Sequence, residues 1–174
     1  MSKFKVLPIK NEIAREIREK MVDQNGNQLS VSIAGESGYG PCRSCLRQFK
    51  TGERRIVFSY SPNPVANPYN ETGPIYIHAD VCEPYMGADV FPPEVENGRI
   101  KFPLAFRAYN KNGMMIDGLL PNGERPGEII EALFENENIS FVHVRNRQVG
   151  CFVAHVDRAA EDIANPKTAE SFAC

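Results

Sequence analysis

The sequence predicts an α+β fold in which a mixed, mainly antiparallel sheet packs against two to three helices. Two observations predict this class. Short segments that alternate apolar and polar residues recur along the chain with turn residues between them, as in antiparallel strands. Two other segments repeat their apolar residues at helical spacing. At 174 residues, 42% of them hydrophobic and 24% charged, the chain is expected to form a single globular domain spanning residues 1–174.

Helices and strands can be assigned in order. The first helix is predicted over residues 12–22, because Ile13, Ile17 and Met21 recur every four residues, and the second over residues 127–135. Strands are predicted over residues 29–34, 54–60, 75–80, 104–109, 114–119, 139–145 and 151–157. The turn sequences at 110–113 and 146–150 each predict a hairpin.

Two segments between these elements are expected to be irregular. Residues 35–45 are rich in glycine at their start and should form a turn. Residues 61–74 carry four prolines, including two Asn-Pro pairs, and predict a long Pro-rich loop. Loops of this length are often lids or binding loops.

Charge and hydropathy exclude several classes of partner. A net charge of −2 with scattered basic residues gives no electrostatic reason to expect nucleic acid or an anionic membrane. No stretch approaches the roughly 20 apolar residues of a membrane span. The N-terminus lacks the apolar core of a signal peptide. We therefore expect a cytoplasmic protein that binds neither nucleic acid nor membrane; the sequence leaves its oligomeric state open.

Four residues in the middle of the chain form a candidate metal site. Cys42 and Cys45 have the two-residue spacing that lets both thiolates reach one ion from a turn, and His78 and Cys82 follow downstream. Together they would make a Cys3His set, a common complement for zinc. His78 is predicted within a strand, where residues four apart lie about 13 Å apart, so the chain must turn before Cys82 for both to share an ion.

Two other interpretations of these cysteines compete with zinc. Cys42 and Cys45 could be a redox pair, although no βαβ pattern surrounds them. All of the cysteines could also be buried thiols that pack as small hydrophobic groups.

A second candidate site follows from strand alternation. His143 and Arg145 fall on the polar side of one predicted strand, Arg107 on the polar side of another, and His78 on that of a third. If the Pro-rich loop covers this face, these four residues would line a pocket. The arginines would bind a small anionic molecule through its carboxylate or phosphate, and His143 could transfer protons. The alternative is a sheet whose polar face lies in water.

Several blocks carry a family resemblance. The segments 41–46, 73–85, 107–109, 142–146 and 150–152 resemble, in the same order, the bacterial domain-of-unknown-function family 1203. The resemblance implies a cytoplasmic bacterial protein of uncharacterised activity, and it covers most of the chain from about Ala34 onward. Its blocks include the Cys/His set and the strand that carries His143 and Arg145.

Three functional hypotheses remain. The first is a small-molecule-binding domain or enzyme with catalytic residues His143, Arg145 and Arg107 and a zinc-like site at Cys42, Cys45, His78 and Cys82. The second is a thiol-redox or redox-sensing protein that uses Cys42 and Cys45. The third is a non-enzymatic interaction module that acts through its exposed surface.

Overall fold

The computed structural model describes residues 4–36, 40–63, 65–87, 89–96 and 103–159. Part of the predicted Gly-rich turn (37–39) and Pro64 of the predicted Pro-rich loop lie outside these residues. The elements in chain order are β1 (Phe4–Leu7), α1 (Asn11–Lys20), β2 (Val31–Ile33), β3 (Arg54–Tyr60), β4 (Gly73–His78), α2 (Pro93–Glu96), β5 (Leu104–Tyr109), β6 (Met115–Leu119), α3 (Pro126–Phe134), β7 (Phe141–Asn146) and β8 (Phe152–Arg158).

The strands form two sheets, not the single mixed sheet that the sequence predicts. The larger sheet has the order β1-β8-β7-β5-β6, and the smaller has the order β2-β3-β4. Every strand pair in both sheets is antiparallel. The two predicted hairpins are present as β5–β6 and β7–β8. The α+β class and the antiparallel pairing are thus confirmed, while the division into two sheets is a correction.

One core lies on one face of the larger sheet. It joins apolar side chains of β5, β7 and β8, such as Phe106, Val144 and Val156, to those of α3, such as Ile130. Helix α3 begins where Pro126, which lacks a backbone N–H, takes the first helical position, and the Glu128 carboxylate accepts a hydrogen bond from the Arg125 backbone N–H. The helix therefore starts at a defined residue and presents its apolar side to the sheet.

A second core lies between the smaller sheet, α1 and the opposite face of β8. Its buried members include Ile17 of α1, Ile56 of β3, Ile77 of β4 and Phe152 of β8. The face that carries His143 is therefore partly covered, so the expectation of a sheet face in water is wrong for its central strands. A register shift between Val144 and Arg145 places Phe152 opposite Arg145. Phe152 therefore lies on this covered face, whereas strict alternation along β8 would place it on the opposite face.

The CxxC segment is tied to both sheets. The Arg43 side chain is buried and donates to the Phe152 carbonyl oxygen at 2.7 Å from Nε and to the Pro41 carbonyl oxygen at 2.6 Å from Nη1. The Arg43 backbone N–H donates to the Tyr76 carbonyl oxygen of β4 at 2.9 Å. The turn is thereby held at the junction of the two sheets. Among the described residues, no helix has the length and apolar character needed to cross a membrane.

Candidate functional site

Four potential metal ligands converge beside the second core. The ligand atoms of Cys42, Cys45, His78 and Cys82 all lie within 4.8 Å of one another. Cys42, Cys45 and His78 are buried, and Cys82 is partly exposed. All four residues of the predicted Cys3His set are thus brought together, and the cluster could hold a metal ion.

Two local backbone features create the cluster. The Leu46 N–H donates to the Cys42 carbonyl oxygen at 2.8 Å and Leu46 has φ 56°, so the chain turns tightly and both cysteines of the pair face one point. His78 is the last residue of β4, and the chain bends over Ala79 and Asp80. This bend returns Cys82 to His78, which resolves the distance problem that a continuous strand would create.

Two of the separations between ligand atoms are close to those of a tetrahedral site. Zinc–sulfur bonds of about 2.3 Å and zinc–nitrogen bonds of about 2.0 Å would separate two sulfurs by about 3.8 Å and a sulfur from a nitrogen by about 3.5 Å. The Sγ atoms of Cys42 and Cys82 are 3.9 Å apart, and Cys45 Sγ lies 3.6 Å from His78 Nδ1. These two separations are close to the tetrahedral values, whereas the full set of four ligand atoms extends to 4.8 Å, so some of them would have to move closer by about 1 Å around an ion.

Neighbouring groups orient the ligands and supply positive charge. His78 Nε2 lies 3.0 Å from the Glu53 carboxylate, so Nδ1 is the nitrogen that faces the sulfurs. The backbone N–H of His78 donates to Cys42 Sγ at 3.3 Å. Arg18 of α1 donates from Nε to the His78 carbonyl oxygen at 3.0 Å and from Nη2 to Cys82 Sγ at 3.5 Å.

Sequence reasoning missed two of these neighbours. The sequence alone assigns no role to Arg18 or to Glu53. The pairing of β3 with β4 could have indicated Glu53, because Arg55 lies opposite His78 and Glu53 precedes β3 by one residue. No local pattern distinguishes Arg18 from the other charged residues of α1.

Protonation in the cluster favours one thiolate. The pKa of Cys45 is lowered by hydrogen bonds from Cys42 and Cys82, while the pKa of Cys42 is raised by the same contacts with Cys45 and Cys82. Hydrogen bonding to Cys45 and Cys82 raises the pKa of His78 to about 10. Cys45 and His78 therefore form a thiolate–imidazolium pair, and a metal ion that bound to the cluster would displace the His78 proton.

The two predicted arginines meet at a single carboxylate. Arg107 Nη1 lies 2.8 Å from one oxygen of Glu71, and Arg145 Nη1 lies 2.7 Å from the other. Glu71 belongs to the irregular segment between β3 and β4, of which residues 61–63 and 65–72 contain no helix or strand. That segment is also attached to the β5–β6 turn, where Asn63 donates to the Gly113 carbonyl oxygen at 3.3 Å and Asn67 to that of Asn112 at 3.2 Å.

A cavity of about 280 Å³ opens beside the two arginines. Its wall is formed by Tyr60, Pro62, Glu71, Thr72, Gly73, Pro74, Arg107, Arg145, Val149, Gly150, Cys151 and Phe152. His78 is absent from this wall because it belongs to the metal cluster instead. The predicted grouping of arginines with His78 therefore separates into two sites.

His143 lies in an aromatic cluster and is absent from the cavity wall. It is 1% exposed, and its ring packs against Tyr109, Phe141, Phe152 and His155 with centroid distances of 4.8–5.4 Å. Within the described residues, neither imidazole nitrogen has a hydrogen-bond partner. Burial, followed by the charges of His155, Arg145 and Arg107, lowers its pKa to about 2. The imidazole is therefore neutral at physiological pH.

Fold and site together define an antiparallel α+β protein with a buried Cys3His cluster that could hold a metal ion. The chain belongs to the family described as "Protein of unknown function (DUF1203)", whose model matches residues 39–158. The matched region contains the whole cluster and both arginines, and it confirms the resemblance seen in the sequence. Neither the curated proteins nor the solved structures include a significant match to the chain.

Proposed function

We propose that this protein is a zinc-binding domain in which Cys42, Cys45, His78 and Cys82 hold one structural zinc ion. The observation that carries the proposal is the convergence of four ligand atoms within 4.8 Å. Three thiolates and one imidazole are soft and borderline donors, which favour zinc over calcium or magnesium. Since four protein ligands complete the tetrahedron, no position is left open for water or substrate. The role is structural for that reason.

Charge balance supports the same assignment. Three thiolates and a neutral imidazole around Zn²⁺ carry a net charge of −1. Arg18 lies against Cys82, and contact with Cys45 raises the pKa of Arg47, so two guanidinium groups offset that charge. A metal site buried at a sheet junction requires such compensation.

Zinc also explains more of the cluster than a redox pair does. A disulfide exchange reaction between Cys42 and Cys45 would use two thiols and leave Cys82 and His78 without a role. The Glu53–His78 contact is the arrangement that commonly orients a metal-binding imidazole. The metal assignment therefore accounts for all four residues and for their nearest charged neighbours.

Metal analysis of protein purified without a histidine tag tests the assignment. We expect about one equivalent of zinc in the wild type and a large loss in Cys82→Ser. Cys151→Ser is the matched control, because Cys151 lies outside the cluster, and it should retain full zinc. A wild type with less than a tenth of an equivalent and with all thiols open to titration would contradict the proposal.

The second part of the proposed function is a pocket for a small anion at Arg107 and Arg145. The specific observation in its favour is that the protein's own Glu71 carboxylate bridges these two arginines. Paired guanidinium groups recognise carboxylates with both affinity and geometric selectivity. A cavity beside them favours ligand binding over an interaction module that uses only its outer surface. We assign no proton transfer to His143, because its imidazole is neutral, buried and absent from the cavity wall.

A further inference from the structure

We propose that Glu71 occupies the arginine pocket in the place of a small organic acid, and that such an acid binds when Glu71 is displaced. The inference rests on the proposed anion pocket and names both its ligand class and its internal competitor. The arginine pocket and the Cys3His cluster share no residue, so acid binding and zinc content can be measured as separate properties of the same samples.

The geometry around Glu71 is that of a bound carboxylate. Each oxygen contacts a different arginine, at 2.8 Å from Arg107 and 2.7 Å from Arg145. The two contacts come from neighbouring strands, because β5 pairs directly with β7. The spacing of the guanidinium groups is therefore set by the sheet, and a free carboxylate could adopt the same bridging position.

Glu71 does not saturate the two arginines. One carboxylate neutralises only one of their two positive charges. The Arg145 side chain is 7% exposed and also donates to the Gly150 carbonyl oxygen at 3.0 Å. Its buried Nε has no hydrogen-bond partner among the described residues. Donor capacity and positive charge remain available to a ligand in this part of the molecule.

The cavity wall selects an organic acid over an inorganic anion. Besides the arginines and Glu71, the residues of the wall include the aromatic Tyr60 and Phe152 and the apolar Pro74 and Val149. These groups offer contact area to a hydrocarbon body and few hydrogen bonds to a second charged end. A volume of about 280 Å³ is small for a ligand site. The expected ligand is a compact monocarboxylate with an apolar body.

Glu71 would lose little buried side-chain surface if it moved away from the arginines. Its side chain is 50% exposed, whereas that of Arg145 is almost completely buried. Asn63 and Asn67 attach the loop to the β5–β6 turn through hydrogen bonds that do not involve Glu71. A tethered carboxylate competes at a high effective concentration. The apparent affinity for a free acid is therefore the intrinsic affinity multiplied by the fraction of molecules in which Glu71 has left the pocket.

Binding of benzoate, butyrate and inorganic phosphate to four proteins tests the proposal. The proteins are the wild type, Glu71→Ala, Glu71→Ala combined with Arg107→Gln, and the control Glu137→Ala, which removes an equal charge from an exposed turn. Calorimetry gives the affinities. Alkylation of Cys151, followed by peptide mapping, gives an independent readout because Cys151 forms part of the cavity wall.

We expect Glu71→Ala to bind benzoate at least tenfold more tightly than the wild type or Glu137→Ala, and more tightly than it binds phosphate. The bound acid should slow Cys151 alkylation and raise the thermal midpoint of Glu71→Ala, and the double variant should lose both effects. Glu71→Gln, which keeps the side-chain volume, provides a second opened variant.

Three results would overturn the inference in different ways. Equal benzoate affinity in the wild type and Glu71→Ala, with binding lost in the double variant, would show that Glu71 does not compete for the site although the anion pocket exists. Binding that survives in the double variant removes the arginines as the site. Absence of binding in every protein at millimolar ligand removes the pocket itself, while the zinc content of the same samples tests the metal site separately.

Discussion

Among single residues, Glu53 controls how His78 presents its ring to the cluster. Its carboxylate lies 3.0 Å from Nε2 and so leaves Nδ1 as the nitrogen directed at the sulfurs. We expect Glu53→Ala to weaken zinc affinity about 10- to 100-fold, the usual effect of removing such a partner. Competition with a chromophoric chelator at pH 7 measures it. Glu137→Ala is the control, and an unchanged affinity in Glu53→Ala would show that Glu53 does not orient the ligand.

His143 predicts a specific acid sensitivity. Its folded-state pKa of about 2 lies below the usual value of 6.5, so the unfolded chain takes up a proton that the native protein does not. The stability from neutral His143 is therefore fully present above pH 6.5 and is lost as pH falls toward the folded pKa. Between about pH 6 and 4 its contribution to the slope approaches about 1.4 kcal/mol per pH unit.

The measurement compares urea unfolding of the wild type with that of His143→Gln over this pH range. In the variant, the dependence of unfolding free energy on pH should be smaller than in the wild type by about 1.4 kcal/mol per pH unit. Asn138→Ala is the control, because it replaces an exposed side chain that carries no titratable group. Equal slopes in the wild type and His143→Gln would contradict the neutral, buried state of His143.

The sequence predicts individual site residues correctly where both the side-chain type and the spacing suit a metal ligand. Cys42, Cys45, His78 and Cys82 could be selected as one set because metal ligands form a short list of side-chain types. Glu53 and Arg18 could not be selected, since glutamate and arginine are common on solvated surfaces. Only the pairing of β3 with β4 and the packing of α1 bring them to the cluster.

At the scale of elements, Gly113 joins the irregular loop to the β5–β6 hairpin. It has φ +73°, and a Cβ atom there would lie 2.4 Å from Asn67 Nδ2 and 2.7 Å from Asn63 Oδ1. Gly113→Ala should therefore suffer both backbone strain and a clash with the loop. We expect it to lose about 2–3 kcal/mol of unfolding free energy, of which about 1 kcal/mol is strain alone.

Gly26→Ala separates these two costs. Gly26 has a similar φ of +80°, but a Cβ atom there would meet nothing within 4 Å. Urea denaturation of both variants gives the difference that belongs to the loop contact. If the two substitutions cost the same, then Asn63 and Asn67 accommodate the methyl group and the loop is not anchored at Gly113.

Elements themselves could be predicted more closely than their arrangement. The segments 54–60 and 104–109 match β3 and β5 at both ends, because alternation and flanking turn residues are local signals. The strand β1 and the single-turn helix α2 were missed, since four residues are too few to establish a period. Pairing between strands distant in the chain has no comparable local signal, and this is why two sheets were expected to be one.

For the whole molecule, the Cys3His cluster belongs to one of two cores. Cys42 and Cys45 are members of the core that contains Ile56 and Ile77, while α3 and Phe106 belong to the other. Removal of the proposed zinc ion would take its binding free energy from the folded state. The loss of stability should be greatest in the sheet β2-β3-β4. Its strand β4 carries His78 and lies next to the turn that carries Cys42 and Cys45.

Amide hydrogen exchange with and without a chelator measures this asymmetry. We expect chelation to speed exchange at least tenfold in β3 and β4, while β5 and β7 retain most of their protection, because their core contains no metal ligand. Cys82→Ser should reproduce the pattern without chelator, and Cys151→Ser should not. A uniform rise in exchange over both sheets would show that the two cores unfold as one unit. Protection unchanged by chelation would show that the cluster contributes nothing to stability.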